Sequence, residues 1–231
     1  MSASIVVAMD GPSGSGKSST SRGVAGRLGL RYLDTGAMYR AVTWWMLQHG
    51  IDVDDAEAVA AHAAEPVLES GTDPAHPTIT VDGVDVAGPI RSAEVTRAVS
   101  AVSAVPQVRS VLLRQQRAII GDDGGIVVEG RDIGTVVAPD APVKVFLTAD
   151  ADARAVRRTA EIAGGPHAGA DQVSATQADL IRRDRLDSGR AASPLTMAED
   201  AHHIDTTGFT LEQVIDQVVA LVEAAESRTR A

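Results

Sequence analysis

Short apolar runs recur along the chain, and longer amphipathic stretches separate them. The runs with strand character cover residues 5–9, 30–33, 126–128 and 143–147, and a weaker one surrounds Ile204. Strands that alternate with helices favour a parallel sheet covered by helices on both faces. The pattern therefore predicts an α/β fold with three layers, α/β/α.

Residues that start and stop helices bound the amphipathic stretches. One helix is predicted to begin near Lys17 and to end before Gly29, because glycine is common just after a helix. Asp34 can cap a second helix that runs toward Gly50. A last helix, over about residues 211–226, has one apolar face. That face contains Leu211, Val214, Ile215, Val218 and Val222.

One segment interrupts the alternation of strands and helices. Residues 78–81 and 84–86 alternate apolar and polar side chains on either side of Asp82-Gly83. An Asp-Gly pair in this setting is a strong signal for a β-hairpin. Because a hairpin fits poorly between parallel strands, we predict an inserted lobe over about residues 65–105.

Composition narrows the possible functions. The chain has 231 residues, a size that suits one domain, and a formal net charge of −10. This charge disfavours nucleic acids and anionic membranes as partners. The sequence has no cysteine, which excludes disulfides and thiolate chemistry. The apolar run at residues 5–9 is too short for a signal peptide or a membrane span, so we expect a cytoplasmic protein, and scattered polar residues favour a monomer.

Residues 11–18 match the pattern Gly-x-x-x-x-Gly-Lys-Ser between a predicted strand and a predicted helix. In such a P-loop, backbone N–H groups bind phosphate oxygens, Lys17 reaches the β- and γ-phosphates, and the Ser18 hydroxyl ligates Mg²⁺. Lys17 is one of two lysines in a chain with nineteen arginines, so a lysine at this position stands out. The motif predicts an ATP site with Mg²⁺ as cofactor. The predicted ATP-binding residues of the loop are Gly11, Pro12, Ser13, Gly14, Ser15, Gly16, Lys17, Ser18 and Ser19.

Clusters of arginine indicate a second anion site. Arg131 lies just past the predicted strand 126–128, at the edge where open parallel sheets bind ligands. ATP and a nucleoside monophosphate together carry about six negative charges, and one Mg²⁺ leaves roughly four for the protein to balance. One lysine cannot do this, whereas converging arginines can, and they also exclude water. This count of charges favours a kinase whose acceptor is a phosphate oxygen. Such an acceptor is already anionic, so the reaction needs no general base.

Six stretches match motifs of one known family: 10–19, 33–40, 129–137, 139–147, 183–190 and 205–207. With the hairpin insert and the Gly-Arg-Asp-Ile-Gly-Thr run at 130–135, nearly the whole chain resembles the bacterial cytidylate kinases, which are nucleoside-monophosphate kinases. The resemblance implies phosphoryl transfer from ATP to CMP or dCMP. It also implies a five-stranded parallel core, a CMP-binding inserted lobe and a mobile lid over about residues 155–190. An irregular Gly-Gly-Pro-His stretch at 164–167 precedes an arginine-dense helix in that lid.

The resemblance also implies roles for single residues. Arginines from separate segments would hold the monophosphate and the transferred phosphoryl group, and Arg157 would lie on the lid side near ATP. Glu129 departs from the aspartate that relatives often carry, and we leave it outside the catalytic set. The implied catalytic residues, with the P-loop lysine, are Lys17, Arg40, Arg131, Arg183 and Arg190.

CMP recognition is implied in the same way. Ser100, Arg109 and Asp132 would read the edge of the cytosine, and Arg183 and Asp187 would face the ribose. The implied CMP-binding residues are Thr35, Tyr39, Arg40, Ser100, Arg109, Gly130, Arg131, Asp132, Arg183, Asp187 and Arg190.

The residues alone leave alternatives open. Asp132 could cap a helix, Arg109 could lie on the surface of an amphipathic helix, and residues 182–185 could form a solvated helix face. The acceptor could be UMP or a small metabolite on the same architecture. A P-loop ATPase or switch module is a further alternative, and it would hydrolyse nucleotide without an acceptor.

Overall fold

A computed structural model describes residues 5–163, 165, 169–190 and 192–230. The first half contains β1 (Val6–Asp10), α1 (Lys17–Leu28), β2 (Arg31–Asp34), α2 (Thr35–Gln48), α3 (Ala56–Ala61), β3 (Leu68–Ser70), β4 (Ile79–Val81), β5 (Val84–Asp85), a 3-10 turn (Pro89–Arg91), α4 (Ala93–Ala104) and α5 (Pro106–Gly121). The second half contains β6 (Ile126–Gly130), a π-helical turn (Ile133–Val137), β7 (Val143–Thr148), α6 (Ala151–Ala163), α7 (Ala170–Ser188), β8 (His202–Asp205) and α8 (Leu211–Arg230).

The main sheet has five parallel strands in the order β2-β6-β1-β7-β8. All five predicted strands are therefore confirmed, and so is the parallel α/β/α architecture. Strand β6 extends two residues beyond the predicted end, because Glu129 and Gly130 pair with residues of β1 and β2. Apolar periodicity missed this extension, since a glutamate and a glycine follow the valines.

Helices cover both faces of the sheet. Helices α1 and α8 pack on one face, where Val218 and Val222 of α8 meet Val127 in one apolar cluster. Helices α2, α4 and α5 pack on the other face. The predicted apolar face of α8 is confirmed except at Leu211, which is 46% exposed because the first turn of α8 lies beside an open cavity. Within the described ranges, no helix has the length and hydropathy needed to cross a bilayer.

The predicted hairpin forms between β4 and β5, which are antiparallel. Asp82 and Gly83 both have positive φ angles, 51° and 77°, as a two-residue turn with the right-handed twist of the strands requires. Strand β3 adds a third strand beside β4 that the sequence did not predict, because three residues carry too little periodicity. Ile79 and Val81 belong to the same apolar cluster as α2, so the inserted segment shares its core with the main sheet.

Helices α6 and α7 form a helical hairpin over the region where the sequence predicts a lid. The two helices pack mainly against each other, and their outer surfaces expose apolar side chains such as Ile162, which is 67% exposed. Of the irregular stretch at 164–167, Gly165 is described, and residues 164, 166 and 167 lie outside the described residues.

Gly11 allows the backbone of the P-loop to lie directly against the backbone of Leu147. Replacement of Gly11 tests whether this contact stabilises the fold. A Cβ atom on Gly11 would lie 2.1 Å from the carbonyl oxygen of Leu147, and the φ angle of 142° disfavours other residues. We expect Gly11→Ala to lower the free energy of unfolding by roughly 3 kcal/mol, through overpacking and backbone strain. Chemical denaturation measures this difference.

Gly26→Ala is the matched control for this variant. Gly26 lies within α1, and a Cβ atom on it would have no neighbouring atom within 4 Å, so alanine should stabilise the helix by about 1 kcal/mol or less. Equal stability of the two variants would show that the contact with Leu147 does not constrain the chain.

Candidate active site

A cavity of about 430 Å³ lies at the carboxyl ends of β1, β2 and β6. The P-loop forms one end of it, and residues of α4 and α5 form another. Segments 34–40 and 129–132, α6 and α7 complete its walls. The sequence places the candidate residues on separate segments, and the parallel sheet brings them together because its strands all end at this edge.

The loop between β1 and α1 has the conformation of a phosphate-binding loop. Gly14 and Gly16 have φ angles of 78° and 88°, which turn successive peptide N–H groups toward the cavity. The first helical hydrogen bond joins the Thr20 N–H to the Gly16 carbonyl at 3.0 Å. The N–H groups before Thr20 have no helical acceptor, so they and the positive end of α1 form an anion site.

Residues Ser13 to Ser19 of the loop line the cavity, whereas Gly11 and Pro12 do not. Gly11 lies behind the loop against the backbone of Leu147. The Pro12 carbonyl accepts a hydrogen bond of 2.8 Å from Nζ of Lys17. These first two residues of the motif therefore shape the loop and hold its lysine.

Lys17 is only 6% exposed and lies at the centre of several charges. Burial, and then the nearby charge of Arg131, lowers the pKa of the Lys17 amine to about 7, while Glu129 and Asp10 act in the opposite direction. A phosphate at the loop would favour the charged ammonium form. The side chain is therefore suited to gain charge together with its ligand.

Four arginines from three separate segments converge on the cavity, as the sequence predicts: Arg40, Arg131, Arg183 and Arg190. Burial, and then the charge of Arg183, lowers the pKa of Arg40 to about 9. Burial, and then the charge of Arg131, lowers the pKa of Arg183 to about 10. These shifts mean that the guanidinium groups repel one another, and a bound anion relieves this repulsion. The alternative of a solvated helix face is wrong for Arg183, which is 8% exposed.

Buried acceptors hold the arginines in place. Asp187, 6% exposed, accepts a hydrogen bond of 3.1 Å from Nε of Arg131. Arg40 donates to the Ile90 carbonyl at 3.1 Å, so the inserted lobe holds it from the other side. Among the described atoms, Nε of Arg183 and one terminal nitrogen of Arg190 are buried without a hydrogen-bond partner. Both donors thus have a hydrogen bond left to make.

Asp132 and Arg109 form a buried ion pair in the wall of the same cavity. Asp132 is 5% exposed and Arg109 is 8% exposed. The Asp132 side chain makes no capping hydrogen bond to the turn that follows it, so the cap alternative is wrong, and burial excludes the surface alternative for Arg109. The guanidinium of Arg109 lies 5.3 Å from the ring centre of Tyr39, and Ser100 lines the same cavity.

Asp10 fixes the segment that carries Arg131 and Asp132. Its two carboxylate oxygens accept hydrogen bonds from the N–H groups of Ile133 and Gly134, at 2.8 and 2.7 Å. Burial raises the pKa of Asp10 to about 6 in spite of these two hydrogen bonds. Asp10 ends β1 and therefore joins the P-loop strand to the arginine-bearing turn.

Arg157 lies beside the P-loop, yet its contacts are with the segment after β8. It donates to the carbonyl and hydroxyl oxygens of Thr206, at 2.7 and 2.8 Å. The Thr206 hydroxyl in turn bonds to the Ser15 carbonyl at 3.1 Å. Thr206 thus links Arg157 to the loop. The sequence motif 205–207 was the available signal for Thr206, although no role followed from it.

Sequence reasoning missed several further residues of the cavity. Glu129 is the most important one: it is 3% exposed, and its carboxylate accepts hydrogen bonds from Ser18 at 2.9 Å and from Tyr32. Burial, and then the charge of Asp34, raises the pKa of Glu129 to about 7. The position of Glu129 at the end of a strand was a usable signal for a residue of the cavity. The other missed wall residues include Asp34, Arg91, Ser103, Arg158, Glu161 and Phe209.

The oxygen atoms at the P-loop fit a magnesium ion that arrives with a nucleotide. The Ser18 hydroxyl is an oxygen ligand of the kind Mg²⁺ accepts, the Glu129 carboxylate accepts the hydrogen bond of that hydroxyl, and Mg²⁺ usually keeps water and phosphate oxygens as its other ligands. Among the described residues, no group of three His, Cys, Asp or Glu side chains could hold a metal alone. The site thus suits a shared cation better than a permanently bound one.

A P-loop that faces an arginine-lined anion site across one cavity defines a P-loop kinase. The family model described as "Cytidylate kinase" matches residues 7–224. The chain belongs to the cytidylate kinase family, and it is therefore a nucleoside-monophosphate kinase, a phosphotransferase that uses ATP.

Similar curated proteins carry the same name. "Cytidylate kinase" of Streptomyces griseus subsp. griseus is 61% identical over 221 residues, covering 95% of this chain and 93% of the relative. "Cytidylate kinase" of Streptomyces coelicolor is 61% identical over 220 residues, covering 95% of this chain and 93% of the relative. "Cytidylate kinase" of Corynebacterium glutamicum is 52% identical over 226 residues, 97% of each chain. The similarity extends over nearly the whole length of these relatives.

Solved structures with low sequence identity share the fold. An uncharacterized protein from Eubacterium ventriosum has a TM-score of 0.51 at 11% identity, over 95% of this chain and 98% of that one. A gluconokinase from Sinorhizobium meliloti has a TM-score of 0.50 at 15% identity, over 99% of this chain and 97% of that one. These similarities support the P-loop kinase architecture alone.

Removal of the P-loop charge tests the ATP end of the cavity. We expect Lys17→Ala to lower kcat by about 100-fold or more, because a buried point charge beside the β- and γ-phosphates acts mainly in the transition state. Steady-state rates of ADP formation measure this. Lys144→Ala is the matched control, since Lys144 is the other lysine and pairs with Asp200 away from the cavity. A Lys17 variant that keeps more than a tenth of the kcat would contradict the assignment.

Proposed function

We propose that the chain transfers the γ-phosphoryl group of ATP to CMP or dCMP and forms ADP with CDP or dCDP. One observation carries the choice of acceptor: a single cavity is lined by the P-loop, by the four arginines and by the buried Asp132–Arg109 pair. A cytoplasmic location and a monomeric state remain predictions from the sequence.

The P-loop is the proposed site for the triphosphate. Backbone N–H groups of residues 13–19 and Nζ of Lys17 would bind the phosphates, and Ser18 would ligate Mg²⁺. When bound, Mg²⁺ neutralises charge on the β- and γ-phosphates. Arg157 would act near the ATP through its contact with the loop by way of Thr206.

The four converging arginines are the proposed acceptor-phosphate site. Arg40 and Arg131 would hold the monophosphate, and Arg183 and Arg190 would reach the transferred group from the lid. Arg183 is buried and the other three arginines are partly buried, and hydrogen bonds to the protein orient Arg40, Arg131 and Arg190, so little reorganisation is needed as charge moves during transfer. An acceptor phosphate oxygen is anionic at neutral pH, so this mechanism requires no general base.

Asp132 and Arg109 are the proposed readers of the base. A carboxylate beside a guanidinium presents an acceptor next to donors. Cytosine presents the complementary pattern, with an N4 amino donor beside the N3 acceptor, whereas uracil has an O4 acceptor and an N3–H donor. Tyr39 and Ser100 would complete this end, together with Thr35 and Gly130 at the sugar and phosphate. Asp187, which orients Arg131, would face the ribose.

Acceptor choice tests this proposal directly. A coupled assay of ADP formation should give the highest kcat/KM with CMP and dCMP, and a much lower value with UMP and AMP. The expected ratio of CMP to UMP is on the order of 100-fold or more, because the wrong base leaves buried polar groups unpaired. ADP formation that needs no acceptor would favour an ATPase, and equal use of UMP would contradict cytosine recognition.

The same assay with the Asp132→Ala variant tests the role of this single residue. This variant should reduce kcat/KM for CMP far more than for UMP, so the ratio between them should collapse. Asp200→Ala is the matched control, because it removes a carboxylate paired with the buried Lys144 at a distance from the cavity. If Asp132→Ala lowers kcat/KM equally for CMP and UMP, the Asp132 carboxylate does not recognise cytosine and only holds Arg109 in place.

The helical hairpin of α6 and α7 is the proposed lid. Its contacts with the rest of the chain include a hydrogen bond of 3.2 Å from Arg154 to the Ser13 carbonyl, those of Arg157 to Thr206 and of Arg131 to Asp187, and an ion pair of 3.6 Å between Glu161 and Arg91. These contacts are polar, and no residue of α6 or α7 belongs to the two apolar clusters of the sheet, so opening would expose little of the core. Bound phosphates would add charge-assisted hydrogen bonds in the closed state only.

Hydrogen exchange measures this closure. Backbone amides of residues 170–188 should exchange more slowly when ATP and CMP analogues are bound together than without ligands. Amides of β7 in the core provide the internal control and should not change. If the P-loop gains protection while residues 170–188 do not, the hairpin is not a lid.

A further inference from the structure

A buried chain of hydrogen bonds runs from the second strand of the sheet to the P-loop. Tyr32 of β2 is 2% exposed, and its hydroxyl donates to Oε1 of Glu129. Ser18 of the P-loop donates to Oε2 of the same carboxylate at 2.9 Å. One carboxylate thus receives a proton donor at each oxygen, one from the core and one from the cavity.

The register of the sheet places these groups together. Tyr32 pairs with Val127, and Glu129 lies two residues further along β6, so both side chains project from the same face. Helix α1 packs on that face and carries Ser18 in its first turn. The contact therefore depends on main-chain pairing rather than on a flexible loop.

Packing does not explain the Tyr32 hydroxyl. The ring belongs to the apolar cluster that contains Val7, Val24 and Val127, where phenylalanine would pack as well. A buried phenol and a buried carboxylate both lose hydration, so an apolar pair at these positions would avoid that loss. Within the described part of the chain, Glu129 has no ion-pair partner within 4 Å. The hydrogen-bonded pair thus points to a role at the cavity.

The direction of the Ser18 hydrogen bond suggests that role. A serine oxygen can ligate a cation only when its lone pairs face the cation and its proton points elsewhere. Glu129 accepts that proton, which turns the lone pairs of Ser18 away from the carboxylate. Glutamate has one more rotatable bond than aspartate, and the hydrogen bond from Tyr32 restricts the rotation of the Glu129 side chain. The longer side chain is in this way held in one conformation.

We propose that Tyr32 is a positioning residue for the nucleotide-bound magnesium ion: through Glu129 it holds the Ser18 hydroxyl with its lone pairs toward the P-loop cavity. This inference rests on the proposed Mg²⁺·ATP site. It assigns to Tyr32 and Glu129 a function in orienting a ligand, and neither residue needs to touch the cation.

Calorimetric titration with the non-hydrolysable imido analogue of ATP tests the inference. Binding is measured in excess Mg²⁺ and in EDTA, and the ratio of the two affinities gives the gain due to Mg²⁺. Tyr32→Phe should reduce this gain roughly 3- to 10-fold, because the lost hydrogen bond acts on the cation only through Glu129 and Ser18, while the affinity in EDTA stays within about twofold. In a Ser18→Ala background, Tyr32→Phe should reduce the gain no further.

Thr43→Val is the matched control, because it removes a buried hydroxyl that donates to the Tyr39 carbonyl at 2.8 Å, and Thr43 does not line the cavity. It should leave the gain due to Mg²⁺ unchanged. Glu129→Gln keeps the side-chain volume but cannot accept both hydrogen bonds, so it should reduce the gain at least as much as Tyr32→Phe.

A Tyr32→Phe protein with the wild-type gain, whatever its thermal stability, would overturn the inference and leave Tyr32 a purely structural residue. A wild-type protein whose affinity for the analogue does not depend on Mg²⁺ would overturn both the inference and the proposed metal site. ADP formation with CMP is measured separately, so the proposed reaction stands or fails independently of these titrations.

Discussion

Mutual repulsion among buried arginines is the constraint on which the rest of this structure depends. The chain has a net charge of −10, yet its cavity brings together guanidinium groups whose pKa values are lowered by burial and by one another. Buried carboxylates hold them: Asp187 bonds to Arg131, and Asp132 bonds to Arg109. In the proposed function, the phosphates of two nucleotides supply the negative charge that relieves this repulsion.

Parallel strands make such a concentration of charge possible. Their carboxyl ends all meet at one edge, so side chains from distant parts of the sequence project into one cavity. The close backbone contact at Gly11 and the two hydrogen bonds to Asp10 then fix the P-loop against the arginine-bearing turn. The inserted lobe and the helical hairpin of α6 and α7 complete the walls. Only the lobe shares the apolar core of the sheet, which agrees with a fixed acceptor end and a movable lid.

Sequence patterns predicted the architecture well where it depends on interactions between residues that are close in the sequence. Five strands, the capping of α2 by Asp34, the end of α1 at Gly29 and the hairpin at Asp82-Gly83 all follow from short-range preferences, and all are confirmed. Predictions were wrong or incomplete where the length of a strand or the exposure of a side chain depends on its neighbours in the folded structure. Strand β6 extends through Glu129 because its neighbours offer hydrogen bonds, and Leu211 is exposed because a cavity lies beside it.

The sequence by itself determined the P-loop, the α/β layers, the family resemblance and a set of arginines for a second anion. These features depend on residue types at fixed spacing, which a chain displays before it folds. Only the tertiary structure decided that Asp132 pairs with Arg109 instead of capping a helix, that Gly11 and Pro12 lie behind the loop, and that Tyr32 and Glu129 reach Ser18. The hydrogen bonds that Glu129 accepts join residues 111 and 97 positions apart, and they depend on sheet register and burial, neither of which has a signature in local sequence.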